Sequence, residues 1–355
     1  MKVLAFLKYG TLAASTRQRL VQYEPSLAEA GIEVEYLPLL DNEHLRRLAA
    51  GRRASPAASA RRYLDRMYQL LTRRDFDLLW VHCELFPYLP GLFERLAAAT
   101  GKPIVFDYDD AIFHMYDASG NRVVRALLGR KLEPLLKRAS LCCCGNRYLL
   151  DYASRFSPDT MLLPTVVDTR IYLPAEARAP SAPVTIGWIG SPSTWPYVRP
   201  LLPLLRELAE TRGVRTRIVG AGPGARDDAF PGLDLVEWSE AGEVDEVRAM
   251  DIGIMPLPDD IWARGKCGYK LIQYMACALP VVASPVGVNC EIIAPGANGF
   301  LAGGEEEWRD ALLRLIGDAG LRRAYGTAGR ARVEALYSLQ VHAPRLVEAL
   351  QSLAR

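Results

Sequence analysis

Lys266, Lys270 and Gln273 fall close together in the run GKCGYKLIQYMACALPVVAS (265–284), where a loop gives way to a helix. Gly265 and Gly268 open the turn, and Leu271, Met275 and Ala278 have helical spacing. Pro280 ends that helix before PVVAS, an apolar run with the composition of a buried parallel strand. Two cations and an amide beside the free N–H groups of a helix start suit a diphosphate and the sugar groups attached to it. An ordinary αβ unit with two solvated lysines is the bland reading of the same residues. IVGAGPG (218–224) leaves a strand as a glycine-rich turn in which Gly220 and Gly222 let backbone approach a ligand. It is not G-x-G-x-x-G, because Ala225 holds the third position, so it is a weak nicotinamide-dinucleotide fingerprint.

The first half offers a second set of candidates. FDYDDAIFH (106–114) ends a strand with Asp109 and Asp110, followed by His114, a set suited to hydrogen-bonding sugar hydroxyls. Asp107 and Asp109 also have Asp-x-Asp spacing, but hard-cation sites draw ligands from more than one segment, so no metal is expected. Glu84 in VHCELFPY (81–88) is a further carboxylate candidate, or else a helix-start residue. KYGTLAASTRQR (8–19) places Gly10 in a loop, with Arg17 and Arg19 in the first turns of a helix. Cations there work against the helix dipole by a few tenths to about 1 kcal/mol, which hints at an anionic ligand; a solvated helix face is the alternative.

These residues hang on a regular alternation. Strand patterns at 2–7, 32–37, 77–82, 102–107, 140–145 and 160–164 alternate with helix patterns at 17–30, 57–74, 89–100, 123–138 and 147–156. A second series follows, with strands at 184–190, 215–220, 233–238, 251–256 and 280–284 and helices at 197–212, 244–250, 269–279, 305–316 and 321–337. Such alternation implies mostly parallel, doubly wound sheets whose ligands sit beyond the carboxyl ends of the strands. The Pro-, Ala- and Ser-rich stretch 164–183 reads as a linker. The expected organisation is a first α/β domain over 1–168, a linker over 169–183, a second α/β domain over 184–338 and a terminal helix over 339–355.

KLIQYMACALPVVASPVG (270–287) resembles the nucleotide-sugar segment of family 4 glycosyltransferases of the GT-B fold. The resemblance is strong over 250–301, moderate over 184–256 and weak in the first domain. It implies two Rossmann-like domains facing each other across a cleft, with the terminal helix crossing back to the first. It also implies retaining transfer of a sugar from a nucleoside-diphosphate donor to a hydroxyl acceptor, in glycan or glycolipid biosynthesis. No cofactor or metal is implied. Lys266 and Lys270 would hold the diphosphate, with Gly190, Ser191, Gly220, Gly222, Gly287 and Val288 around the donor. The family's pair of glutamates falls on Gly265 and Gln273. Gln273 can still accept from ribose, whereas Gly265 cannot replace the sugar-facing glutamate, and Asp259 or Asp260 is the nearest substitute. The loop 191–197 lacks the Arg and Lys that the family often carries there. A non-catalytic nucleotide- or partner-binding homologue is the alternative, as is an epimerase of the same fold.

The chain has 355 residues, half of them apolar, 24% charged, with a net charge of +2, which suits two globular domains and excludes a disordered chain. No apolar run reaches the roughly 18–20 residues that span a bilayer. Seven cysteines without paired C-x-x-C spacing suggest thiols in a reducing cytoplasm rather than zinc or disulfides. Positive charge clusters in the first half: nine Arg against one Asp over 44–74, and four Arg with two Lys against Glu133 over 121–138. Apolar residues interleaved there, among them Leu64, Tyr68, Val124 and Leu127, suit peripheral docking on an anionic membrane. A solvated helix face is the competing reading, and no nucleic-acid module is recognisable.

Overall fold

The computed structural model describes residues 1–49, 55–175 and 182–353. Residues 50–54 of the arginine-rich block, 176–181 of the expected linker and 354–355 of the terminal segment lie outside the described residues. The chain divides into two compact units: Met1–Thr165 with Gly265–Cys267 and His342–Arg355, and Val166–Arg264 with Gly268–Val341.

In the first unit, β1 (Lys2–Tyr9), β2 (Glu33–Leu40), β3 (Leu78–His82), β4 (Ile104–Tyr108), β5 (Leu141–Cys144) and β6 (Thr160–Leu162) form a sheet in the order β2-β1-β3-β4-β5-β6. All neighbours are parallel. Every residue of β3 and β4 is buried, as expected of near-continuous apolar strands covered on both faces. Cys142, Cys143 and Cys144 are fully buried, so β5 uses thiols as small apolar side chains.

The second unit contains β7 (Thr185–Ile189), β8 (Arg215–Val219), β9 (Leu233–Val236), β10 (Ile252–Met255), β11 (Val281–Ala283) and β12 (Gly299–Leu301), in the order β12-β11-β10-β7-β8-β9. One face packs on Leu204, Leu208, Trp308, Leu312 and Leu315. The other packs on Leu271, Met275, Ile292 and Val333. Two separate cores on one sheet make this a doubly wound α/β unit. Strand order reverses at β1/β3 in the first sheet and at β7/β10 in the second, and ligands of such sheets sit beyond the carboxyl ends at those points.

Four expected helices are shorter than their apolar spacing implies, among them 197–212, where 3-10 turns precede an α-helix that begins at Leu202. The segment expected at 17–30 is Ala14–Arg19, a 3-10 turn Val21–Tyr23 and then Glu24–Glu29, because Pro25 has no N–H to continue a ladder. The segment at 123–138 breaks into Arg122–Leu128 and Glu133–Leu136, the second carrying Pro134 in its first turn. Within 89–100 only a 3-10 stretch, Glu94–Thr100, forms. The strand β12 was not anticipated, its three residues being too few to carry a period.

Arg19 overturns one expectation. It is fully buried, and its guanidinium donates to both carboxylate oxygens of Asp107 at 2.8 and 2.9 Å and to the Leu163 carbonyl. Its charge is met inside the protein, so it has none to offer an anionic ligand. Arg66, within the expected basic surface, is likewise buried and donates to the carbonyls of Leu7, Leu37 and Leu85. Removing one partner of a buried pair strands the other charge at a cost of about 3–5 kcal/mol. Arg19→Met should therefore lower urea-unfolding stability by about that amount, and Arg19→Met/Asp107→Leu should recover a large part of it. A loss below about 1 kcal/mol in the single variant would contradict the pairing.

Candidate functional site

In the second unit the glycine-rich loops leave adjacent strands. Gly190 follows β7, and Gly220 and Gly222 follow β8 at φ +79° and +78°. A Cβ on Gly220 would lie 2.4 Å from the Gly190 carbonyl oxygen, and one on Gly222 would lie 2.7 Å from Pro192. The two loops thus pack closely at the strand ends, where side chains at 220 and 222 would clash, and the Gly190 and Gly220 N–H groups donate to the Val219 and Val236 carbonyls. The 190–194 loop is held by hydroxyls: Thr194 Oγ1 accepts from the Ser191 N–H at 3.2 Å, and Ser191 Oγ lies 2.9 Å from Ser193 Oγ. Gly287 follows β11 at φ +54°, with Val288 beyond it, and a Cβ there would meet the Arg264 carbonyl oxygen at 2.7 Å.

Lys270 belongs to the helix Tyr269–Ala276, and its Nζ lies 5.8 Å from the centroid of the Trp188 ring of β7, within cation–π range. Gln273, one turn on, is buried, and its amide nitrogen donates to Glu243 at 2.7 Å and to Tyr172 at 3.0 Å. Glu243 also accepts from Tyr172 Oη at 2.5 Å and from Trp238 Nε1 at 2.7 Å. Sequence reasoning missed this cluster, since Tyr172 lies in the segment read as a linker. Asp260 accepts from the Ala263 N–H at 2.7 Å and caps the helix Ile261–Arg264, while Asp259 pairs with Arg264 at 2.7 Å. Both carboxylates expected to replace the sugar-facing glutamate are thus engaged locally.

In the first unit residues 265–267 are pinned to the ends of β4 and β5. Asn146 Nδ2 donates to the carbonyls of Gly265 and Lys266 at 2.9 and 3.0 Å, while its Oδ1 caps the helix Arg147–Ser154 by accepting from Leu149. The cap is legible in CCCGNRYLL; the reach to 265–266 is not. Cys267 Sγ donates to the Asp109 carbonyl at 2.9 Å. A Cβ on Gly265 would lie 2.3 Å from the Ala111 Cβ and 3.0 Å from its nitrogen. Packing therefore demands glycine where the family pattern has glutamate. Lys266 Nζ sits 3.9 Å from Asp110.

The other first-unit candidates fall into separate groups. Asp109 faces the buried His82, with 3.8 Å between Oδ1 and Nε2. Burial opposes charge on His82, but the adjoining Cys83 and Asp109 hold its pKa well above the usual histidine value. Burial would raise the Asp109 carboxyl, yet His82 and Arg19 bring it below the usual range. His114 is not part of this group: Nδ1 meets Asp117 and Nε2 meets the Tyr148 hydroxyl, each at 2.7 Å. Glu84 is fully buried among Lys8 (3.1 Å), the Tyr116 hydroxyl (2.5 Å) and Lys131 (3.6 Å), which corrects the expectation that it meets an acceptor. Arg17 donates to the carbonyls of Thr11 and Leu12. Gly10 lines a concavity of about 440 Å³ at the ends of β1 and β2, with Thr11, Tyr36, Asp41 and Asn42.

A family model described as "Glycosyl transferases group 1" matches residues 183–318. A GDP-mannose-dependent monoacylated alpha-(1-6)-phosphatidylinositol monomannoside mannosyltransferase of Corynebacterium glutamicum is 34% identical over 86 residues, 24% of this chain and 23% of that protein. A D-inositol 3-phosphate glycosyltransferase of Rhodococcus jostii is 26% identical over 235 residues, 64% of this chain and 46% of that protein. The matches span less than half the length of these curated relatives. The crystal structure of Anabaena HepE in complex with UDP-glucose superposes with a TM-score of 0.73 at 14% identity, covering 99% of this chain and 100% of that one.

Gly265→Ala should cost about 1–3 kcal/mol in urea unfolding, because the added methyl meets the Ala111 Cβ and backbone, which no rotamer change can move away; a change within about 0.5 kcal/mol would refute the packing argument. With both sheets, their order and the match over 183–318 established, the chain has the GT-B fold and resembles glycosyltransferase family 4.

Proposed function

We propose that this chain is a retaining glycosyltransferase that moves a hexose from a nucleoside-diphosphate donor to a hydroxyl acceptor. The observation that carries the reading is the closely packed pair of glycine-bearing loops after β7 and β8, in the same unit as the lysine-bearing helix and in the segment matching the group 1 family. The glycines let a diphosphate approach the loop backbone closely. Lys270 and Lys266 supply the cationic charge that the hydroxyl-only loop 190–194 lacks. In the transfer the bond from the anomeric carbon to the diphosphate oxygen breaks, and a bond to the acceptor oxygen forms on the same face. The acceptor proton passes to the departing phosphate. The lysines stabilise charge growing on the leaving group, and electrostatic stabilisation of this kind lowers the barrier more than any other single effect. The step therefore needs neither a metal nor a strong side-chain base. Asp109 and Asp110 orient hydroxyl groups, and Gln273, fixed by Glu243 and Tyr172, addresses the ribose.

An epimerase of this fold would need a pair of available carboxylates, and the enclosure of Glu84 weighs against it. A non-catalytic nucleotide-binding role draws support from the missing sugar-facing glutamate, since Asp259 and Asp260 are engaged elsewhere.

No helix among the described residues is long and apolar enough to cross a membrane. The helix Arg122–Leu128 buries none of its residues and exposes Val123 and Leu127 beside Arg122 and Arg125. That face supports peripheral docking on anionic lipid at the cytoplasmic surface, next to a lipid-linked or glycan acceptor. Vesicles rich in phosphatidylserine should retain the wild type, and Val123→Ser/Leu127→Ser should release it; equal retention would refute the docking.

Thermal unfolding against UDP-, GDP-, ADP- and CMP-sugars tests the donor site, because a ligand that binds only the native state adds about 2.7 kcal/mol at one hundred times its dissociation constant. One nucleotide class should raise the melting temperature of the wild type and not of Lys270→Ala. No shift with any of the four at millimolar concentration would overturn the transferase reading.

A further inference from the structure

We propose that His82, Cys83 and Asp109 bind a single borderline-soft divalent cation, zinc above all, at the carboxyl ends of β3 and β4. The ligand atoms already converge. Cys83 Sγ lies 3.5 Å from Nε2 and 3.7 Å from Nδ1 of His82, and Asp109 Oδ1 lies 3.8 Å from Nε2. One ligand atom from each residue falls within 4.8 Å of the others. Around a tetrahedral zinc, with Zn–S about 2.3 Å and Zn–N or Zn–O about 2.0–2.2 Å, ligand atoms stand roughly 3.3–3.7 Å apart. The separations from Nε2 are close to those of a metal-bound set, and a rotation of the Cys83 side chain away from Nδ1 brings Sγ into line with the Nε2 lone pair; one thiolate, one imidazole and one carboxylate leave a fourth position open.

Backbone geometry explains how neighbouring residues converge. Along a strand, consecutive side chains point to opposite faces, so His82 and Cys83 should diverge. Cys83 instead takes φ +66°, a left-handed conformation that costs a non-glycine residue roughly 1–2 kcal/mol. Its N–H still donates to the Asp107 carbonyl at 2.8 Å, so the turn is tied to the sheet and the thiol swings back to the ring before it. Asp109 is held in turn by Cys267 Sγ on its carbonyl. Strain at a position with such support is a reason to look for a ligand.

Charge points the same way. Arg19 pairs with Asp107, and Lys8 pairs with Glu84, so the nearest fixed charges cancel in twos. A Cys83 thiolate and the Asp109 carboxylate would then balance a divalent ion with a neutral imidazole. Asp107, 4.0 Å from His82 Nε2, is committed to Arg19 and is not counted among the ligands. Asp109 is shared with the proposed transfer, in which it orients a hydroxyl group and the diphosphate charge falls to Lys266 and Lys270, so metal binding is read by a signal other than transfer activity.

Cobalt(II) tests the assignment. Full-length protein stripped with a chelator should take up one equivalent of Co²⁺ with a thiolate-to-cobalt charge-transfer band and tetrahedral d–d bands, and Zn²⁺ should displace it. Cys83→Ser should lose the charge-transfer band, and Cys290→Ser should keep it. Asp109→Asn, which keeps the size of the side chain and removes its charge, should weaken cobalt binding at least about tenfold. Circular dichroism verifies folding of each variant. Uptake well below one equivalent, a charge-transfer band that survives Cys83→Ser, or unchanged affinity in Asp109→Asn would overturn the proposal and leave His82 and Asp109 as an ion pair.

Discussion

Parallel strands bring all their carboxyl ends to one edge of a sheet, and backbone must cross that edge within contact distance of other backbone. In the second unit Gly220 rests on the Gly190 carbonyl, and Gly287 rests on Arg264. In the first, Gly265 rests on Ala111, and Gly145 lies where a Cβ would come within 2.4 Å of Cys267 Sγ. These contacts set how near the loops come to one another, and so which peptide groups a ligand can reach. They also change the meaning of a sequence departure. The missing glutamate at 265 looks like loss of function when compared with a family pattern, yet it is a packing requirement of this chain.

The first unit adds a second constraint, that of keeping charge buried. Arg19, Asp107, Lys8, Glu84, Lys131 and Glu94 are all buried, and each has a partner of opposite sign. Burying ions is costly, and such a set persists only when hydrogen bonds satisfy it nearly completely. Its use here is geometric. Lys131 and the backbone N–H groups of Leu85 and Phe86 converge on Glu94, which fixes the chain just after Glu84. The ends of β1, β3 and β4 are thus held by charges that a sequence reader would assign to solvent or substrate.

This explains which features were legible in the sequence. Continuous apolar runs such as LLWVH and IVFDY could only be buried strands, and glycines after strands marked the loops. Gly129 and Pro134 were visible too, yet apolar spacing over 123–138 outweighed them, and the helix that formed is shorter. Arg19 was misread because its partner lies 88 residues away. Nothing local distinguishes an arginine bound for Asp107 from one facing solvent. His82 and Cys83 were hidden for a related reason: ligand spacing assumes that neighbours in a strand diverge, and one left-handed residue reverses that.

The cysteine distribution carries a further consequence. Cys83, Cys142, Cys143, Cys144, Cys267 and Cys277 are buried, and Cys290 is exposed, on the helix Asn289–Ile292 directly after Gly287 and Val288. A bulky maleimide fluorophore in native buffer therefore has one accessible thiol among the described residues. That single label would sit two residues from the loop expected to meet the donor, so its emission could follow nucleotide arrival in the unmutated protein, in real time.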